Sequence, residues 1–439
     1  MKFLTEIDTE KYTEFVKNHK LGNMMQATEW AQIKNTWGVE RVAVVDDNNN
    51  IVAATQILTK KGFWYAPRGP IMDYDNKELV SFFLENLKKY AKNKTAKLVK
   101  LDIPVAIKDE KLHEFKDITV ERTDNELIKV FKKYGYKHKG FSLDMSSTIQ
   151  PRFNTVTKLT AEVPDLFPKD TRRLIRDADK KFVEVRRCGK ENLDDFLFAL
   201  ACTEKRKNIS LRGREYFENL LDTFGDNALL YISYINVEKA LEECQMRKEN
   251  LELEIEALGE KSPKKKRTLV EQVAGIEKLI TLFNTLEIED KTKDQVISAA
   301  ITIAYGNHAE IIYAGMNESF AKLPAQYKVF SDTMRTAQTM GVSEVSMGGI
   351  EGNLNDSLLG FKSKFAPNIV EYYGEFDLVL SQSFNLMYNY GLPLRRKLLK
   401  LIKEDYAEFV FHIECPSTSY RTIVKSKLGF ENISIHESL

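Results

Sequence analysis

Cysteine is scarce in this chain. The four cysteines, Cys188, Cys202, Cys244 and Cys415, lie far apart and form no C-x-x-C pair. That spacing argues against a disulfide framework or a structural zinc site and fits free thiols in a reducing compartment. Histidine is nearly as rare: His19, His113, His138, His308, His412 and His436 show no ligand spacing, so no metal centre is expected. No stretch approaches eighteen uninterrupted apolar residues, and the start, MKFLTEIDTEKYTEF, has no apolar core of a signal peptide. Both point to a cytoplasmic protein without a membrane span. An excess of one charge is missing too. Lys+Arg of 65 against Asp+Glu of 64 excludes wholesale coating of nucleic acid and leaves room only for local basic patches. P-loop, G-x-G-x-x-G, G-x-S-x-G and H-E-x-x-H motifs are all absent, so neither a metal nor a nucleotide cofactor is expected.

What the chain does contain is one pattern written twice. VERVAVVDDNNNIVAATQIL (39–58) and FWYAPRGP (63–70) make the first copy. NALLYISYIN (227–236), QVISAAITI (295–303) and EIIYAGMN (310–317) make the second. Each has a β-rich run, a connector, a second run with a Val/Ile-x-Ala-Ala element, and a third, aromatic run. The first connector is a hairpin turn over 46–50; the second is about sixty residues of charged, heptad-like sequence. Downstream, the helical stretch 77–94 feeds the strand AKLVKLDIPV (96–105), just as 324–341 feeds SEVSMGGIEG (343–352). LIKVFKKYGYKHKG (127–140) reads as a helix closed by Gly135 and an edge strand, with its counterpart in 356–374. The fold class is therefore mixed α/β, built from two copies of one module, and 439 residues suffice for two cores.

Inside the second copy, Val237, Leu241, Cys244, Lys248, Leu251, Ile255 and Leu258 keep a four-three spacing, as do Leu269, Val273, Ile276, Ile280 and Phe283. Gly259 and KSPKKKR (261–267) interrupt it. The spacing predicts two antiparallel helices of roughly 35 Å each, projecting as a coiled-coil arm with a basic tip. Such an arm is either a strut or a docking element for a macromolecule, and spacing alone leaves both open. After Tyr373 the run GEFDLVLSQSFNLMYNYGLPLRRKLLKLIK reads as helical, with a basic amphipathic end over 394–403. The strand and helix order of each module suits an N-acyltransferase of the acetyl-CoA class. Yet the R/Q-x-x-G-x-G/A loop that cradles the CoA pyrophosphate is missing from both copies, which points to a different acyl donor.

Seven motifs occur in order: QATEWAQIKNTW (26–37), YAPRGPIMD (65–73), KLDIPV (100–105), TIQPR (148–152), LRGREYF (211–217), IYAGMN (312–317) and MGGIEGNLNDSLLGFKSKF (347–365). Together they resemble the Fem-type (FemABX) peptidoglycan-bridge aminoacyltransferases, over roughly residues 1–403 with the arm included. The resemblance implies two tandem acetyltransferase-like (GNAT) domains with an inserted antiparallel coiled-coil arm. The expected boundaries are 1–147 for the first domain, with 376–403 packed on it, and 148–236 plus 291–375 for the second. The arm takes 237–290, and 404–439 is a tail without assignment. The implied reaction moves an amino acid from aminoacyl-tRNA to the stem-peptide lysine of a lipid-linked or nucleotide-linked muropeptide, or to a bridge begun there. The arm is expected to help engage tRNA. Peripheral contact with the inner membrane leaflet is expected through the basic segment 394–403, whose leucines and cations suit a headgroup layer.

The resemblance also assigns residues. Lys34, in EWAQIKNTW, and Arg212, in SLRGREYF, match cations that hold the precursor's diphosphate; a guanidinium offers forked donors for phosphate oxygens. Arg214 is the alternative two residues on. Tyr216 and Tyr313 match tyrosines lining the precursor channel, with core packing as the plain alternative. Asp102, placed at the end of an expected strand, matches an aspartate that contacts the acceptor amine; a helix or turn cap is its other reading. Phe361 and Lys362, in LLGFKSKF, match a Phe–Lys pair near the acyl centre, with Lys364 as a nearby decoy. There the Lys362 ammonium stabilises the oxyanion formed when an amine attacks the tRNA ester. One position departs from the pattern: the tyrosine expected five residues before the aspartate is Lys97 here. Outside the family, the competing readings are an N-acyltransferase with another carrier-bound donor and a non-enzymatic coiled-coil interaction protein.

Overall fold

Both copies of the sequence pattern fold alike in the computed structural model, which describes residues 1–115, 125–259 and 262–391. After the edge strand β1 (Lys2–Leu4), β2 (Gly38–Val45), β3 (Ile51–Lys60) and β4 (Phe63–Ala66) form an antiparallel meander, and the two-residue β5 (Ile71–Met72) pairs with β3. Helix Lys77–Asn93 then returns the chain to β6 (Leu98–Lys111), which runs parallel to β4. Two short connecting strands follow, β7 (Tyr136–His138) and β8 (Phe153–Lys158). The second copy repeats the scheme with β9 (Glu184–Cys188), β10 (Ala228–Asn236), β11 (Asp294–Tyr305) and β12 (His308–Met316). Helix Ala325–Thr339 leads to β13 (Glu344–Ile350), parallel to β12. The Ala-Ala elements fall at Ala53–Ala54 and Ala299–Ala300, all fully buried. Small side chains there let helices Thr9–Asn18 and Leu193–Lys207 approach β3 and β11 closely.

β14 (Asn368–Val379) joins the halves by pairing with β6 along one edge and with β8 and β7 along the other. Met1–Leu380 thereby forms one compact unit around one mixed sheet of fourteen strands among the described residues. This corrects the helical reading of the stretch after Tyr373, whose first six residues belong to a strand. The charges Glu375 and Asp377 disguised it, because a buried strand ordinarily carries none, and Glu371 earlier in the same strand is a third. Here each is compensated. Arg152 pairs with Glu371 at 2.7 Å, and Lys100 pairs with Glu375 at 2.5 Å and Asp377 at 2.7 Å, every partner nearly inaccessible. Removing one member of such a pair costs about 3–5 kcal/mol, so a slipped register is strongly disfavoured.

The inserted arm is a hairpin of helices Val237–Leu258 and Pro263–Asn284. Asn236 caps the first by accepting from Lys239 N, and Gly259 ends it at φ 56°. Pro263 opens the second helix, so Lys264 to Arg267 lie within its first five residues and not, as the interrupted pattern implied, in the connecting loop. Across the hairpin Lys248 meets Glu277 and Lys265 meets Glu254, each at 2.8 Å. The base is no mere stalk. Val237, Ala240, Cys244 and Phe283 are buried in one cluster with Ile235, Ile297 and Phe320 of the main body. Replacing 249–276 by a short Gly-containing turn keeps that base and should leave the thermal midpoint within about 4 °C, a change of 1 kcal/mol or less. Cutting at 237 and 290 instead exposes Ile297 and Phe320, and should lower the midpoint clearly in the same melting experiment.

Beyond Leu380, Ser381 caps the short helix Gln382–Leu386, and Met387–Gly391 forms a π-helical turn. The basic segment 394–403 and the tail 404–439 lie outside the described residues. Among the described residues no helix is long and apolar enough to cross a membrane.

Candidate active site

Helix Thr28–Ile33 turns Trp30 and Ile33 into the core and ends at Lys34, which leaves that lysine at the rim of the apolar layer. Helix Arg214–Phe224 packs against it, with Phe217 fully buried and Tyr216 half-buried. The Lys34 ammonium lies 4.4 Å from the Trp30 ring centre and 5.4 Å from that of Tyr216. The Arg212 guanidinium lies 5.5 Å from the same Tyr216 ring. Neither cation has an acidic partner among the described residues, whereas Arg214 is tied to Asp194 and Glu218. Burial, helped by the neighbouring Arg212 charge, lowers the Lys34 pKa to about 8. Two unpaired cations beside one aromatic ring make a site that calls for an anion.

Tyr216 connects this cluster to a second one. The Tyr313 hydroxyl, on β12, donates to the Tyr216 hydroxyl across 3.4 Å, and its ring meets Phe217 edge-on at 4.9 Å. Tyr313 also lines a cleft of about 570 Å³ together with Lys207, Met347, Phe361 and Lys362. Helix Ser357–Lys362 presents the last two; Asp356 caps it by accepting from Leu359 N and also accepts from Glu351 N at 2.9 Å. Lys362 is only 8% exposed and donates to the Gly349 carbonyl at 2.7 Å, whereas Lys364 points to solvent. Burial brings the Lys362 pKa down to about 8, against the opposing pull of Asp356 and Glu310. Phe361 packs on Tyr327, Phe330 and Phe365 at 5.1–5.3 Å and so fixes the start of that turn.

Asp102 stands apart from both clusters. It is the fifth residue of the fourteen-residue β6, not the end of a strand, and it caps nothing. It is fully inaccessible, and neither carboxylate oxygen has a hydrogen-bond partner. Arg68 Nη1 lies 3.6 Å from it, beyond hydrogen-bond reach, and burial lifts the carboxyl pKa to about 6. At the position five residues earlier, Lys97 is no substitute for a tyrosine. The Tyr65 and Tyr74 hydroxyls feel the Asp102 charge instead, and burial with that charge holds both phenols well above their usual range. The structure therefore brings Lys34, Arg212, Tyr216 and Tyr313 together, joins Phe361 and Lys362 to them through Tyr313, and leaves Asp102 beneath Arg68.

The sequence matches the FemAB family over residues 7–390. The chain belongs to the FemAB family. Among curated relatives, the lipid II:glycine glycyltransferase of Staphylococcus epidermidis is 27% identical over 401 residues, which is 86% of this chain and 92% of that protein. The enzyme of the same name from Staphylococcus aureus is 27% identical over 404 residues with the same coverage. The crystal structure of FemX superimposes with a TM-score of 0.69 at 25% identity, covering 88% of this chain and 99% of FemX. Within this FemAB-family chain, sequence reasoning missed Arg68 and Glu310. Arg68 lies in the motif YAPRGPIMD without any spacing that marks it. Glu310 carried one usable signal, a charge placed inside an otherwise apolar strand run.

Proposed function

We propose that this FemAB-family chain, a transferase of the aminoacyltransferase type, builds the interpeptide bridge of peptidoglycan. It takes an amino acid from aminoacyl-tRNA and joins it to the amino group of the stem-peptide lysine, or of the growing bridge, on a lipid-linked precursor. One observation supports this reading above the others. An unpaired Lys34–Arg212 pair, suited to a diphosphate, is linked through Tyr216 and Tyr313 to the cleft that holds a buried Lys362.

The chemistry required is modest. An ester carbonyl is already activated, and a neutral amine attacks it unaided, if slowly. Holding the two substrates together supplies much of the acceleration, and one well-placed cation at the developing oxyanion supplies more. Lys362 has that role in this reading. With a pKa of about 8 it is mostly protonated at neutral pH, and the Gly349 carbonyl fixes its direction without neutralising it. Phe361 holds the turn that carries it. Asp102, sealed under Arg68, reaches an acceptor amine only if Arg68 moves aside, so its role in this scheme is to position Arg68. The proton lost by the amine passes to solvent or substrate. The names of the staphylococcal relatives favour lipid II as the acceptor and glycine as one candidate donor residue.

Mass spectrometry of the acceptor tests the reading. After incubation with glycyl-, alanyl- or seryl-tRNA and a lysine-containing precursor, the acceptor should gain one aminoacyl residue with at least one donor. No mass gain with any of the three would sink it.

A further inference from the structure

A groove of about 1150 Å³ runs along the base of the arm, between its two helices and the end of helix Lys169–Lys180. Its floor is apolar, made by Phe182, Leu251, Ile276, Leu279 and Leu282, all half-buried. Its rim is basic. Lys180, Lys181, Arg247, Lys278 and Lys322 line it against a single carboxylate, Asp177. Lys180 meets Asp177 at 4.0 Å and Arg247 meets Glu243 at 2.8 Å, while Lys278 and Lys322 have no acidic partner among the described residues. The walls are held in place by rings: the Arg247 guanidinium lies 4.9 Å from the Phe182 ring centre, and that ring lies 6.5 Å from Phe283.

One residue in this groove has no explanation inside the chain. Gly275 lies in the interior of helix Pro263–Asn284, where a glycine is destabilising relative to alanine. A Cβ there would meet nothing within 4 Å, so no neighbour in the chain requires its absence. It lines the groove beside Ile276 and Leu279. A bare stretch of helix lets another backbone approach closely. The groove follows this helix from Gln272 to Thr285, roughly 20 Å at about 1.5 Å per residue, the length of about four turns of a partner helix. Apolar floor, basic rim and glycine together define the occupant: a helix whose apolar face is flanked by carboxylates. The sugar–phosphate backbone of an RNA would use the cations, but it would bury no apolar surface on the floor and has no need of the glycine. A flat headgroup layer would meet the rim before the floor.

We propose that the base of the arm is a docking groove for an acidic amphipathic helix of a partner protein, which crosses helix Pro263–Asn284 at Gly275. Display selection on the full-length protein tests it, with a library of helical peptides of about four turns whose apolar face is fixed and whose flanking positions vary among Glu, Gln and Lys. Peptides recovered by the wild type should carry Glu at most flanking positions. They should bind Gly275→Leu, and the double variant Lys278→Glu with Lys322→Glu, at least tenfold more weakly. Gly275→Leu puts a better helix former into open space, so it should melt no lower than the wild type, and lost binding then reports the groove and not the fold. Recovery of no peptide, recovered peptides without an excess of Glu, or equal affinity for Gly275→Leu would each overturn the proposal. Retention of tRNA or of pure phosphatidylglycerol vesicles that Gly275→Leu abolishes, with no peptide recovered, would give the groove to that ligand instead and overturn it as well.

Discussion

Replacing Lys362 by methionine should lower kcat for aminoacyl transfer by about 100- to 1,000-fold, the loss typical of removing one oxyanion donor. Methionine fills a similar apolar volume, so the Phe361–Phe330–Phe365 packing beside it persists and the melting curve should change little. The pH profile adds a second readout. In the proposed reaction Lys362 acts as the ammonium, and its pKa of about 8 lies below that of an ordinary lysine. The active form is therefore complete below that pH and is lost as pH rises through it, while the acceptor amine needs to be neutral and gains with pH. The two opposing trends give a bell, whose alkaline limb in kcat reports the substrate-bound enzyme. Lys362→Arg keeps its charge to far higher pH, so that limb should move upward or disappear. An alkaline limb unchanged in Lys362→Arg would assign it to another group.

Loss of the proposed Lys34–Arg212 diphosphate clamp should have the second large effect. Lys34→Ala and Arg212→Ala should each weaken acceptor binding by about 1–3 kcal/mol, roughly 5- to 150-fold, as expected for a charge-assisted hydrogen bond. Both cations lie over the single Tyr216 ring, at 5.4 Å and 5.5 Å, so the double variant should depart from additivity. Arg214→Ala, which removes only surface ion pairs with Asp194 and Glu218, should leave acceptor affinity unchanged. Affinity in the wild type should also fall as pH rises through about 8, where free Lys34 loses its proton. Calorimetric titration of the lipid-linked precursor across pH and variants measures all of this.

Much of the fold was readable because it is periodic. The doubled run of strands, the helices 77–93 and 325–339 and the arm all carry regular apolar spacing, and each occurs where that spacing puts it. β14 was missed for the opposite reason. Its second half carries Glu375 and Asp377, made tolerable in a buried strand by the distant Lys100, with Lys139 and the Ile149 N–H beside it, pairings with no local signature. The arm's basic run was misplaced by a few residues because Pro263, which ends helices from inside, also starts them at the first position. At the site, Lys34, Arg212, Tyr216, Tyr313 and Lys362 were named through ordered motifs, and their residue types suit an anion and an oxyanion. Which arginine stays unpaired, which lysine is buried and where Asp102 lies depend on tertiary neighbours. Arg68 is an ordinary residue in sequence and becomes notable only above the buried Asp102, 3.6 Å away.

The most direct test of the account follows a radiolabelled amino acid in a single turnover. Wild-type protein and Lys362→Met are each mixed with labelled aminoacyl-tRNA and a lysine-containing lipid precursor, and the lipid phase is extracted over time. Label should pass into the lipid phase with the wild type and stay on the tRNA at least 100-fold longer with the variant, in line with the loss of an oxyanion donor. Equal rates of label transfer by the two proteins would contradict the assignment of Lys362 to the reaction centre, and with it the site described here.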